Sequence, residues 1–128
     1  MQIDAIAARE FWAHESQQVA SRITPETLPV DGFEYWACEG VCGAFHRTAW
    51  PSVYMAHFAV KPIQWGRADA PARVILSAFW AARLPDRIIG WTLESNRAAL
   101  AFTRRLGFEI DGRMALPDPV IMQGWRSI

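Results

Sequence analysis

Lysine is almost absent from this chain: of 13 basic residues, only Lys61 is not arginine. Arginine suits planar, bidentate anion contacts better than lysine does, although a genome's base composition produces the same skew. Charge of either sign is also in short supply. Charged residues make up 20%, and 13 basic against 13 acidic residues leave no net charge. That balance disfavours a general binder of nucleic acid or anionic membrane, which needs a basic excess. No apolar run approaches the ~20 residues of a membrane span. Met1 to Glu10 has no apolar stretch of the signal-peptide kind, and it holds Asp4, Arg9 and Glu10. The expectation is a cytoplasmic protein with no membrane partner. The only cysteines are Cys38 and Cys42, too few for a disulfide scaffold in a chain this short. With His46 they are spaced by four, a possible metal face on a helix. But Gly40 and Gly43 interrupt the stretch and its aromatic and β-branched residues favour strands, so no metal site is expected. A hairpin looping at Glu39-Gly40-Val41 would set Cys38 opposite Cys42.

What the chain does have is apolar bulk. Hydrophobic residues make up 52% of its 128 positions, with seven tryptophans. That is enough for a core and for one domain spanning residues 1–128.

The pattern of apolar residues predicts a helix from Ile3 to about Ser21, capped by Asp4. Pro25, Pro29 and Asp31-Gly32 break the chain. Strands follow at Phe33–Cys38, Val41–Thr48 and Val53–Val60, joined by connections short enough for an antiparallel meander. Ala70 to Leu84 reads as a helix with Asp69 as its cap and Val74, Ile75, Ala78, Phe79 and Ala82 as its buried face. Arg87–Leu93 is a strand, and Ser95 or Asn96 caps a helix from Arg97 to Leu106 that Gly107 ends. Phe108–Leu116 and Val120–Trp125 are the last strands. A meander that feeds strand–helix–strand–helix implies an α/β fold: a mixed sheet with helices on both faces.

Asn96-Arg-Ala-Ala99-Leu-Ala-Phe102, followed by Gly107-Phe108, resembles the C-terminal motif of the GCN5-related N-acetyltransferase (GNAT) superfamily, N-x-x-A-x-x-L/F-Y-x-x-x-G-F. Val60-Lys61-Pro62 is similar to the V-x-P that ends the family's fourth strand. The stretch Trp65-Gly66-Arg67-Ala68-Asp69-Ala70 then falls where the family has its pyrophosphate loop, Q/R-x-x-G-x-G/A. Trp65 stands there for Arg or Gln, and Ala68 and Ala70 for the glycines. Short GNAT-like proteins of tailed phages are similar in their compactness.

The resemblance implies a GNAT-like sheet with a splayed parallel central pair, Val53–Val60 and Arg87–Leu93, and acetyl-CoA as the donor. Phe58, Ala59 and Val60 would bond the pantetheine arm through their backbone. Trp65, Gly66, Arg67, Ala68, Asp69 and Ala70 would meet the pyrophosphate, the last from a helix start, with Arg67 adding a charge-assisted contact. Asn96, Phe102 and Thr103 would border the arm. Thr103 takes the position of the family's usual tyrosine acid, and no tyrosine follows Tyr54. For the base, Tyr54 holds the usual glutamate position. His57 has the right ordinary pKa but faces away from Tyr54 by alternation unless a bulge intervenes. Glu94 lies near Asn96. His14, His46 and the aromatics Phe33, Tyr35, Trp36, Phe45, Trp50 and Tyr54 could wall an acceptor pocket or fill the core. Two functions are open: acetyl transfer to an amine of a small molecule or protein, or a non-catalytic GNAT-fold binding or assembly protein in a partner complex or homodimer.

Overall fold

The computed structural model describes residues 1–127. Seven strands form one sheet in the order β1-β2-β3-β4-β5-β7-β6. They are β1 (Gln2–Ile3), β2 (Phe33–Cys38), β3 (Val41–Arg47), β4 (Val53–Val60), β5 (Arg87–Leu93), β6 (Glu109–Met114) and β7 (Val120–Trp125). The helices are α1 (Ala5–Ala8), α2 (Glu15–Ser21), α3 (Asp69–Arg83) and α4 (Arg97–Leu106). All neighbouring strands run antiparallel except β4 and β5. The mixed sheet expected from the strand order is the one observed.

The N-terminal segment departs from a single helix. Asp4 does cap α1, accepting from Ala7 N at 2.7 Å. A 3-10 turn then covers Arg9–Trp12 and buries the neighbours Phe11 and Trp12 together. Gln18 Nε2 donates to the carbonyls of Trp12 and Ala13. His14 starts α2 afresh, its Nδ1 accepting from Ser16 N at 3.1 Å. The break falls at His14, whose extended backbone (φ −79°, ψ 138°) ends one helical run and opens the next.

The β2–β3 hairpin turns on two residues, Glu39 (φ 43°) and Gly40 (φ 80°), the positive-φ pair that suits strand twist. The tighter turn shifts the expected register: Cys38 lies opposite Val41, and Cys42 opposite Ala37. Cys42 is fully buried, and burial pushes its thiol up to about 12.

Side chains alternate along the strands and sort into two clusters, one on each face. The first joins Trp36, Phe45, Tyr54 and Ile88 to α3 and to Leu106 and Phe108 at the end of α4. The second joins Tyr35, Cys42, Ala44 and Ala59 to Ala8, Phe11, Trp12 and Leu28 of the N-terminal segment. Helix α3 buries Pro71, Ala72, Ile75, Leu76 and Phe79. Ile75 and Phe79 were expected there. Val74, at 49% exposure, and Ala82 are outside. The face is rotated because Leu76 carries more bulk than Val74 and because α3 sits close over Gly43. A Cβ on Gly43 would lie 3.0 Å from Ile75 Cγ2.

Candidate functional site: a cleft where two parallel strands part

Strands β4 and β5 pair only at their start, Val53 with Arg87, Tyr54 with Ile88 and Met55 with Ile89. Beyond Ala56 and Gly90 they diverge. The fork opens a cleft of about 860 Å³ bordered by both strands, α2, the start of α3 and α4. Small residues sit at the fork: a Cβ on Gly90 would come 3.5 Å from Ala56 O.

Divergence turns part of the β4 backbone toward the cleft. Two of those groups are engaged by one side chain. Gln17 of α2 donates from Nε2 to Phe58 O and accepts at Oε1 from Val60 N, each at 3.2 Å. An amide thus already lies along β4 as a neighbouring strand would. Glutamine suits this because its planar amide offers donor and acceptor at one end.

At the C-terminal end of β4, a short 3-10 turn (Pro62–Gln64) leads to Gly66, whose φ of 80° is the loop's left-handed position. Ala68 precedes α3 with φ −81°, which alanine adopts without strain. The glycine conformation is therefore supplied at 66, two residues before the family's first loop glycine. Ala68, not Asp69, is the N-cap of α3, and no side chain caps it. Asp69 lies in the first turn, held by Arg105 Nε at 2.7 Å. The ion pair offsets a charge that would otherwise repel an anion there. Arg67 is exposed and does not border the cleft, whereas Arg105 does. Trp65 is half exposed at the rim, edge-on to His14 with ring centroids 5.1 Å apart.

Helix α4 presents Asn96, Phe102 and Thr103 to the cleft. Asn96 is the cap, its Oδ1 accepting from Ala99 N at 3.1 Å. Thr103 Oγ1 lies 3.2 Å from the carbonyls of Ala99 and Leu100 and accepts from Gln123 Nε2 at 2.7 Å. Gln123 Oε1 in turn accepts from Thr92 Oγ1 at 3.0 Å. This partly buried polar chain runs from β5 through β7 to α4.

The pairing of β3 with β4 is continuous from Val41–Val60 to Arg47–Tyr54. No bulge reverses the alternation there, so Tyr54 and His57 point to opposite faces. Tyr54 is buried against Phe79, accepts from Arg47 Nε and does not border the cleft. Glu94 is also outside it, exposed and bonded to Arg113 Nε at 2.6 Å, which holds its carboxyl below the usual range. His57 does border the cleft, on the face of the second cluster. Its Nε2 lies 3.1 Å from His46 Nε2. His46 Nδ1 lies 3.1 Å from Arg47 O, an atom that only accepts, so that nitrogen carries hydrogen. With both rings neutral, His57 donates through Nε2, leaving its Nδ1 lone pair open. Burial, and then His46, push its pKa down to about 4.

Of the residues expected at the cofactor, Phe58, Val60, Trp65, Gly66, Ala68, Asp69, Asn96, Phe102 and Thr103 border this one cleft. Ala59, Arg67 and Ala70 do not, because alternation or the loop's path turns them elsewhere. Gln17, Arg105, Gln123 and Trp12 are the additions. No local motif marks them, since each reaches the cleft through a tertiary contact.

No protein-family model matches the chain, and no curated protein sequence does. Solved structures match over nearly all of it. The ribosomal-protein-S5-alanine acetyltransferase from Vibrio fischeri superposes with a TM-score of 0.73 at 13% identity, covering 98% of this chain and 90% of its own. The aminoglycoside acetyltransferase AAC(6')-Ib in complex with coenzyme A gives 0.75 at 13%, covering 98% and 92%. A GNAT-family acetyltransferase from Bacillus anthracis gives 0.71 at 13%, covering 94% and 87%. The chain has the GNAT fold. Within that fold, the fork of β4 and β5 is the splayed pair that the resemblance implied.

Among the described residues, no helix is long and apolar enough to cross a membrane, and no three histidine, cysteine or acidic side chains cluster as metal ligands.

Proposed function

We propose that this protein is an acetyl-CoA-dependent N-acetyltransferase. The observation that carries the proposal is the amide of Gln17 on Phe58 O and Val60 N. The β4 edge is shaped to hold an amide, and the pantetheine arm of coenzyme A is a chain of amides. A backbone turn at Gly66 and the start of α3 lie at one end of the same cleft, where a helix N-terminus favours phosphate. His57 lies at the other end. The complexes of AAC(6')-Ib with coenzyme A support the same reading.

Bound acetyl-CoA supplies a thioester carbonyl as electrophile. The chain's own groups do the rest. Phe58 and Val60 hold the arm, and Gln17 moves aside for it. Arg105 offsets Asp69 near the pyrophosphate. As the amine nitrogen bonds to the carbonyl carbon and the C–S bond breaks, the nitrogen's proton passes to the open Nδ1 of His57. Thr103, held by Gln123, borders the arm where the family's tyrosine stands. Its hydroxyl lies against helix carbonyls, so the thiolate departs with little acid assistance.

A second reading is a GNAT-fold binding protein without acetyl transfer. The Gln17 contact favours it if that side chain keeps its place. Calorimetry with acetyl-CoA separates the two readings. Wild type should bind, and Gln17→Ala should bind up to about fivefold more tightly, since a competing pair of hydrogen bonds worth ~1 kcal/mol is removed. No heat and no rise in melting temperature for either protein at about millimolar acetyl-CoA would exclude the transferase.

A further inference from the structure

The cleft continues past the β4 fork to the opposite face of the sheet, where the N-terminal segment closes over it. The walls there are Trp12, Leu28, Phe33, Tyr35 and, from β5, Trp91. Among the described residues that border the cleft, the only formally charged side chains are Asp69 and Arg105. They belong to the α3–α4 end and are spent on each other. The inner lobe therefore has no carboxylate.

Its polar groups offer a cation no charge to pair with. Trp12 is 1% exposed, and its indole Nε1–H is buried without a partner. That nitrogen is set back from the cleft surface and is a donor, so it offers an ammonium group nothing. Tyr35 Oη is committed to Pro29 O. His57 is backed by a second imidazole, not by an acid. An ammonium ion placed here would lose hydration and gain no anion, and attraction to the aromatic faces, about 0.5–2 kcal/mol, offsets only part of that penalty. A neutral amine on an aromatic ring would stack against Trp91 and Phe33, the aromatic walls with exposed surface, and lose far less.

We infer that the acceptor is an apolar aromatic amine that enters with its nitrogen uncharged, an arylamine in preference to an alkylammonium or a polycationic sugar. This rests on the transferase reading and deepens it. An arylamine is already neutral near pH 7, so no strong base is needed before attack, and His57 takes the proton only as the N–C bond forms. The neighbouring fold AAC(6')-Ib has been crystallised with kanamycin, an amine of the opposite kind.

The test compares two isomers, 4-ethylaniline and 2-phenylethylamine, with kanamycin as a third ligand. Each is titrated into protein saturated with coenzyme A, so that no turnover occurs. The expected result is that 4-ethylaniline binds with a Kd that does not change from about pH 7 to about pH 9, while the apparent Kd of 2-phenylethylamine falls about tenfold per pH unit as its neutral fraction grows. His57 and Tyr35 do not blur that slope, since burial sets the one at about 4 and the other at about 12. With acetyl-CoA in place of coenzyme A, only 4-ethylaniline should be acetylated readily at pH 7. A pH-independent Kd for 2-phenylethylamine, tighter binding of kanamycin, or binding of neither isomer to the coenzyme A-loaded protein would overturn the inference and leave the transferase reading standing. Failure of coenzyme A itself to bind would overturn both.

Discussion

His57 is the residue at which the cleft's electrostatics can be read from outside. It sits mostly buried with His46 at 3.1 Å, and both circumstances disfavour its protonated form. Its pKa in the folded chain, about 4, is below the ordinary histidine value. The unfolded chain therefore binds a proton between about pH 6.5 and about pH 4 that the folded chain does not, and folding stability falls as pH is lowered through that window. The slope from this group is at most about 1.4 kcal/mol per pH unit. Urea melts of wild type and His57→Gln at several pH values should show a shallower acid dependence in the variant. Parallel curves would mean that His57 is not held neutral. Its alternation, away from Tyr54, was legible in the sequence from the strand's period alone. Its partner was not, because His46 belongs to another strand and the pair depends on a register of which a single sequence gives no sign. Gln17 is invisible for the same reason: it is one polar residue in a polar stretch until α2 is folded over β4.

At the scale of elements, α3 and the β2–β3–β4 sheet are fitted through Gly43. An added Cβ there would lie 2.9 Å from Phe45 Cε2 as well as 3.0 Å from Ile75 Cγ2, and Phe45 is stacked on Phe79 at 3.9 Å. Neither neighbour can yield without moving the helix. Gly43→Ala should cost about 1–3 kcal/mol in denaturant unfolding, as overpacked cores do. A neutral result would show that α3 rides more loosely on the sheet than these distances require. The strands were legible from their β-branched and aromatic runs and the turns between them, and β2, β4, β5 and β7 fall at the expected residues. The first helix was not, because its apolar positions fit a continuous helix equally well. What divides it is the extended backbone at His14, with His14 accepting from Ser16 N and Gln18 donating to the carbonyls of Trp12 and Ala13, polar contacts that the apolar pattern does not show. The cap at Asn96 was legible because capping is local chemistry, three residues from donor to acceptor. The loop at Gly66 was half legible, its helix start visible but its left-handed residue displaced from the family pattern.

For the molecule as a whole, the fork of β4 and β5 joins a four-stranded part, β1 to β4, to a three-stranded part, β5, β7 and β6, through three paired positions. Under the proposed function, a donor lying along β4 would tie these two parts together. Hydrogen exchange should then slow at Phe58 and Val60 amides and also in β5, remote from any direct hydrogen bond, when coenzyme A is added. Protection confined to the Gly66 loop would mean that the nucleotide binds without the arm entering the fork. Gln17 already gives Phe58 and Val60 the amide bonds that the arm would give them, so the arm's arrival exchanges one amide for another at nearly equal enthalpy. Little affinity can come from that exchange, and discrimination between a full donor and a short acyl thioester falls to the nucleotide end of the ligand.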